Sequence, residues 1–139
     1  MAELMQLEVV TPQRVVLRER VEAVVAPTDR GYLGVLANHA PMVAALSLGI
    51  VQFGRYHGPK RKMAVSGGFM EVSGNRVTIL ADTAELAEEI DVLRAKAARD
   101  RALERLRSRA AHIDQTRAER ALARALNRLR AAGTEEERR

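Results

Sequence analysis

Residues 88–101 read EEIDVLRAKAARDR, and two chemistries fit them. Asp91, ahead of an apolar-periodic stretch, is a natural N-cap, because its carboxylate accepts a hydrogen bond from a free first-turn N–H. Glu88 and Glu89 just upstream suit the positive end of the helix dipole. The second chemistry is anion binding. Arg94 and Arg101 stand two turns apart on one helix face, and a guanidinium bonds two phosphate oxygens at once. Against this stands an arginine-rich composition: the only lysines are Lys60, Lys62 and Lys96, so 20 of the 23 basic residues are arginine, and a solvated arginine face is common in such a chain. The residues alone leave both readings open.

Other chemistries find less support. The acids Glu85, Glu88, Glu89 and Asp91 have no histidine nearby and are explained as helix-start charges, so no metal site is assigned. His39, His57 and His112 are scattered, with no Ser or Asp at a hydrolytic spacing. Gly67-Gly68 lacks the Lys-Ser/Thr of a phosphate-binding loop and reads as a bend or a close strand contact. With no cysteine there is no disulfide framework and no thiolate site. The formal charge of +5 raises nucleic-acid binding, but no aromatic residue interleaves the arginines of the second half, so stacking readout is lacking. The start Met1-Ala2-Glu3 does not open a basic-then-apolar leader, and the longest apolar run, Val43 to Val51, is too short to cross a bilayer. Membrane association is therefore expected to be peripheral, without direct insertion.

The elements that must position these residues fall into two halves. All four aromatics, all four prolines and eight of nine glycines precede residue 84; after it come runs of Ala, Leu, Arg and Glu. The runs QLEVVT, VEAVVA, GYLGVL, LGIVQFG, KMAVSGGFMEV and RVTILA predict strands, with Leu7 and Val9 on one face and Gln6 and Glu8 on the other. Ser73-Gly74-Asn75 is a hairpin turn. Such strands bury enough only as two packed sheets, so an antiparallel β-sandwich is expected.

In the second half, Ile90, Leu93 and Ala97 share a helical face, and Leu103, Leu106, Ala110 and Ile113 repeat at three and four. A second helix is expected to begin at Thr116, with Glu119 completing a capping box, to carry the stripe Ala118, Leu122, Ala125, Leu129, and to end at Gly133. The class is therefore α+β, a sandwich over 1–86 and a helical hairpin over 87–139. The hairpin seam is mostly alanine, and each buried CH₂ contributes only about 0.8 kcal/mol, so the hairpin is weakly self-stabilised. From Arg94 to Arg130 there are 12 basic and four acidic residues, 12 − 4 = +8, against 9 − 7 = +2 for residues 1–84. The arm carries the positive field.

Nearly the whole chain resembles the ε subunit of bacterial F-type ATP synthases. GYLGVLANHAPMV (31–43) is similar to that family's glycine-containing turn and His-x-Pro step, and SGGFMEV (66–72) with VTILAD (77–82) is similar to its last sandwich strands; Ala37-Asn38 stands where the family commonly has Pro-Gly. The resemblance implies a non-catalytic rotor subunit in the central stalk, packed on the γ subunit and touching the ring of c subunits, peripheral to the cytoplasmic face of the membrane. It implies an arm that either folds as a hairpin or extends into the catalytic head, meets acidic segments of the α and β subunits and hinders ATP hydrolysis. IDVLRA (90–95) matches the I/L-D-x-x-R-A motif of members that bind ATP. By that resemblance Glu85, Ile90, Asp91 and Ala95 surround adenine and ribose, and Arg94, Arg101, Arg124 and Arg128 face the phosphates. ATP would then be a regulatory ligand that favours the folded arm, with no catalytic cofactor. The alternative is a structural adaptor of the rotor that does not respond to nucleotide.

Overall fold

In the computed structural model, which describes residues 3–108 and 110–133, the alternation legible in the first strand sets the first layer. In β1 (Met5–Val10) Met5, Leu7 and Val9 are buried, while Gln6, Glu8 and Val10 remain partly exposed. It is followed by β2 (Val15–Val21), β3 (Ala23–Thr28), β4 (Gly31–Leu36), β5 (Met42–Leu46), β6 (Gly49–Gly54), β7 (Lys60–Ser73) and β8 (Arg76–Leu86). A single 3₁₀ turn, Ala87–Glu89, leads to α1 (Val92–Arg107) and α2 (Gln115–Ala131). The chain parts into two compact units between Leu86 and Ala87. Residues 134–139, which the expected arm includes, lie outside the described residues.

The sandwich closes because β7 serves both layers. Its first half pairs β6 and its second half pairs β5, while both halves keep β8 as a neighbour. The change of layer falls at Gly67 and Gly68, with φ of 70° and 111°, the left-handed region that favours glycine. A Cβ on Gly68 would stand 2.0 Å from the Leu80 carbonyl oxygen, so the Gly-Gly pair is both the bend and the close contact expected of it. Between the layers Phe53, Met5, Leu7, Met63, Met70 and Ile79 are almost fully buried. At the expected hairpin turn Gly74 and Asn75 both take φ of 57°, as a two-residue turn of the I′ type requires. Asn38 also sits at positive φ, 67°, so it adopts the conformation for which a glycine would be used, at little cost for asparagine.

Three features differ from the sequence expectation. β1 pairs β8 in parallel, since β1 already offers one edge to β2 as a hairpin and the chain returns to its other edge only after the whole sandwich. The other pairings are antiparallel. Strands β2 and β5 carried no clear signal: β2 pairs only β1, and with Arg18, Glu19 and Arg20 it has the charged character of an edge, whereas β5 is short and alanine-rich. The apolar run Val43 to Val51 is thus largely two strands joined at Ser47-Leu48.

The second unit brings three further corrections. Ile90, Leu93 and Ala97 do not form the packed face, since Ile90 precedes the cap, Ala97 is exposed and Leu93 is 80% exposed. The buried stripe of α1 is Ala95 and Ala102, with Leu106 half-buried, because α2 packs on the side where small residues permit close approach. The helix stops at Arg107 with Ser108 as C-cap, leaving Ala110 and Ile113 in the connector. In α2 the stripe Ala118, Ala125 and Leu129 is buried as expected, with Leu122 half-buried, and Gly133 follows at φ of 75°.

The cap of α2 is Asp114, whose carboxylate accepts from the Arg117 N–H at 3.0 Å, rather than Thr116. A carboxylate adds attraction to the helix dipole that a hydroxyl lacks, and Asp114 takes the extended backbone of a cap, leaving Thr116 exposed in the first turn. Asp114→Ala is therefore expected to cost about 1 kcal/mol of helix stability, and Thr116→Ala less than about 0.5 kcal/mol. Urea melts followed by helical circular dichroism measure both; a larger loss from Thr116→Ala would reinstate the capping box.

Candidate functional site

The geometry around Arg94 follows from its cap. Asp91 takes an extended backbone (φ −79°, ψ 100°), and its Oδ1 accepts the Arg94 N–H at 3.1 Å, so α1 starts with a fixed orientation. Immediately after, Ala95 is fully buried in the hairpin. At 3.6 residues per turn, Arg94 and Arg101 fall on one flank of the stripe Ala95, Ala102, Leu106. On α2, Arg124 and Arg128 flank the stripe Ala118, Leu122, Ala125, Leu129 in the same sense. In an antiparallel pair both the viewing direction and the facing direction reverse, so the two flanks lie on one side of the hairpin. Arg94, Arg101 and Arg124 are exposed and Arg128 is half-buried.

Of the remaining expected site residues, Ile90 is buried and Asp91 is exposed as the cap. Glu85 belongs to the other compact unit, on β8 opposite Ala64, and is half-buried there. Glu88 and Glu89 are exposed in the 3₁₀ turn. Among the described residues no group of three or more His, Cys, Asp or Glu is placed to hold a metal ion. His39 hydrogen-bonds through Nδ1 to the Ala40 carbonyl at 2.8 Å, within its own loop as expected. The hairpin therefore places arginines along one side, a chemistry that suits an anion.

A second surface escaped the sequence reading. On the outer side of the layer formed by β2, β1, β8, β7 and β5, strand register aligns Val15 with Val10, Val10 with Leu80, Leu80 with Phe69, and Phe69 with Ala45. This apolar row crosses five strands. Leu80 is 55% and Phe69 58% exposed, and Val43, two residues along β5 on the same side, is 68% exposed. Single exposed apolar residues are ordinary on a protein surface, whereas neighbours in register form a continuous row. Each of these residues looked ordinary in its own strand; only the register joins them.

Comparison with known proteins gives concordant results for both units. Residues 4–87 match the beta-sandwich domain of the ATP synthase Delta/Epsilon chain, and residues 88–133 match its long alpha-helix domain. The chain is 52% identical over 104 residues to the ATP synthase epsilon chain of Syntrophomonas wolfei, covering 75% of this chain and 76% of that one. It is 56% identical over 109 residues to the one from Symbiobacterium thermophilum, covering 78% of each. Among solved structures, a chain of the Euglena gracilis mitochondrial ATP synthase, in an OSCP/F1/c-ring assembly, aligns with a TM-score of 0.72 at 30% identity over 86% of this chain and 76% of that one. A chain of the Tetrahymena thermophila mitochondrial ATP synthase central stalk and c-ring aligns with a TM-score of 0.59 at 14% identity over 94% of this chain and 98% of that one, which is a likeness of fold.

Proposed function

The chain belongs to the ATP synthase delta/epsilon family, as a non-catalytic subunit of the central stalk, and on that premise we propose that its β unit docks on γ and the c-ring while its hairpin senses ATP and restrains hydrolysis. The apolar row from Val15 to Ala45 supports the docking half, since it runs across five strands with Leu80 and Phe69 more than half exposed at its centre. No helix among the described residues is long and apolar enough to cross a membrane. In this reading the subunit is held peripherally at the cytoplasmic face through its partners.

What supports the regulatory half is helix geometry, which puts Arg94, Arg101, Arg124 and Arg128 on one side of a hairpin whose buried seam is rich in alanine. Folded, the hairpin brings four guanidinium groups near one another, which costs repulsion until an anion enters. Extended, it separates them and frees the same charges to meet acidic segments of α and β, where the arm hinders hydrolysis. ATP thus favours the folded form. A ligand at 100 times its dissociation constant stabilises the state it binds by about 2.7 kcal/mol, enough to shift a two-state arm about a hundredfold. The alanine seam keeps the opposing energy small.

Calorimetry of the full chain with ATP tests this. Binding heat is expected from the unmodified protein, and Arg94→Ala should weaken affinity at least about tenfold, since a hydrogen bond to a charged group contributes about 1.5–3 kcal/mol. No heat from the unmodified protein would leave a structural adaptor without nucleotide response.

A further inference from the structure

The two helices repeat one another. Residues 91–107 and 114–130 share the pattern D-x-x-R-A-x-x-A-x-x-R-A-L-x-R-L-R, identical at ten of seventeen positions. The structure gives both copies the same cap, Asp91 accepting from the Arg94 N–H and Asp114 from the Arg117 N–H, and buries the same alanines, Ala95 and Ala102 in one, Ala118 and Ala125 in the other. The hairpin is therefore an approximate two-fold in both sequence and packing. Of the four arginine positions that the copies share, the last, Arg107 and Arg130, turns to another side, and three remain in step: Arg94, Arg101 and Arg105 on α1, Arg117, Arg124 and Arg128 on α2. Seven and eleven residues are close to two and three full turns, so each trio forms one line along the flank of its helix.

The four arginines assigned to ATP use two of each trio and leave Arg105 and Arg117 over. These two are a pair in their own right. Residue 111 is the midpoint between the helices, with Arg94 and Arg128 each 17 residues from it and Arg105 and Arg117 each six. At 1.5 Å rise per residue the row from Arg94 to Arg105 spans about 16 Å, well beyond the length of a triphosphate. Both leftover arginines are exposed, and neither forms an ion pair among the described residues. We propose that the whole row is a binding site for a linear polyphosphate chain longer than a triphosphate, with Arg105 and Arg117 as a second phosphate subsite at the connector end.

The chemistry favours this ligand over other polyanions. A polyphosphate carries closely spaced charge along a flexible line, which matches guanidinium groups that each bond two oxygens. An acidic helix presents a carboxylate to one side only every third or fourth residue. Single-stranded nucleic acid binds through stacked bases as well as phosphates, and no aromatic residue lies beyond Phe69. The proposal rests on the ATP reading of the other four arginines.

Its test separates the two. The full chain is titrated calorimetrically with tripolyphosphate, with long-chain inorganic polyphosphate and with ATP, and the long-chain affinity is corrected for the number of binding registers. The long chain is expected to bind at least about tenfold more tightly than tripolyphosphate. Arg105→Gln with Arg117→Gln should abolish that advantage while ATP affinity stays within about twofold, and circular dichroism should show unchanged helix content. An advantage that is absent, that survives the double substitution, or that single-stranded RNA reproduces overturns the proposal. If ATP gives no heat while the long-chain advantage is present and lost in the variant, the second subsite stands and the ATP reading falls.

Discussion

Phe69→Asp together with Leu80→Asp is expected to leave the isolated protein folded and to remove the docking on γ proposed for the apolar row. Both side chains are more than half exposed, and substitutions at such positions change stability by about 0.5 kcal/mol or less. Docking is another matter. The two residues face each other across β7 and β8 at the centre of the apolar row, where truncating a buried anchor typically costs about 2 kcal/mol or more and a charge left unpaired costs further. Because they are cross-strand neighbours, their effects are not additive. Even one such loss is about thirtyfold in affinity, and the pair should exceed about a hundredfold. Co-purification with γ, or titration of γ with labelled protein, measures it. Unchanged binding by a variant that melts normally would place the interface elsewhere on the sandwich.

Gly68→Ala is expected to damage the fold itself. The added Cβ would meet the Leu80 carbonyl oxygen at 2.0 Å and the Ala81 Cα at 2.8 Å, both backbone atoms of the neighbouring strand that cannot rotate aside. The position also has φ of 111°, which L side chains rarely adopt. Either the layers separate at the bend or the β7–β8 ladder breaks, and a substitution of this kind belongs with those that cost about 4 kcal/mol or more. Against a total of roughly 5–15 kcal/mol for a domain, that removes much of its stability. For a unit of this size, 1 kcal/mol moves the melting temperature by about 4–8 °C, so a fall of at least about 16 °C is expected. Gly34→Ala is the control, since its Cβ would enter open space on the edge strand β4. Equal melting of the two variants would show that the close approach at Gly68 relaxes freely.

Much of the architecture was legible because it depends on local pattern. Alternation in β1 placed Leu7 and Val9 inside, the Gly74-Asn75 turn followed from its residue types, and Asp91 announced a cap that the structure contains. The misreadings arose where two local signals competed. Thr116 with Glu119 has the form of a capping box, but Asp114 two residues earlier is the stronger acceptor and took the position. Leu93 and Ala97 have helical spacing, yet α1 had two possible apolar sides, and the side on which α2 packs, through Ala95 and Ala102, was decided by close approach rather than by hydrophobicity.

The sequence by itself determined the division into a β half and a helical half, the cap of α1, the alanine stripe of α2 and the strong positive charge of the arm. These rest on periods of two and 3.6 residues and on residue-specific backbone preferences, which act within a few residues along the chain. The tertiary structure alone decided the parallel meeting of β1 with β8, the apolar row joining Val15 to Ala45, and the face of α1 that meets α2. Strand order and helix pairing bring together residues far apart in the chain, and no local period encodes which distant partner a given edge or face will find.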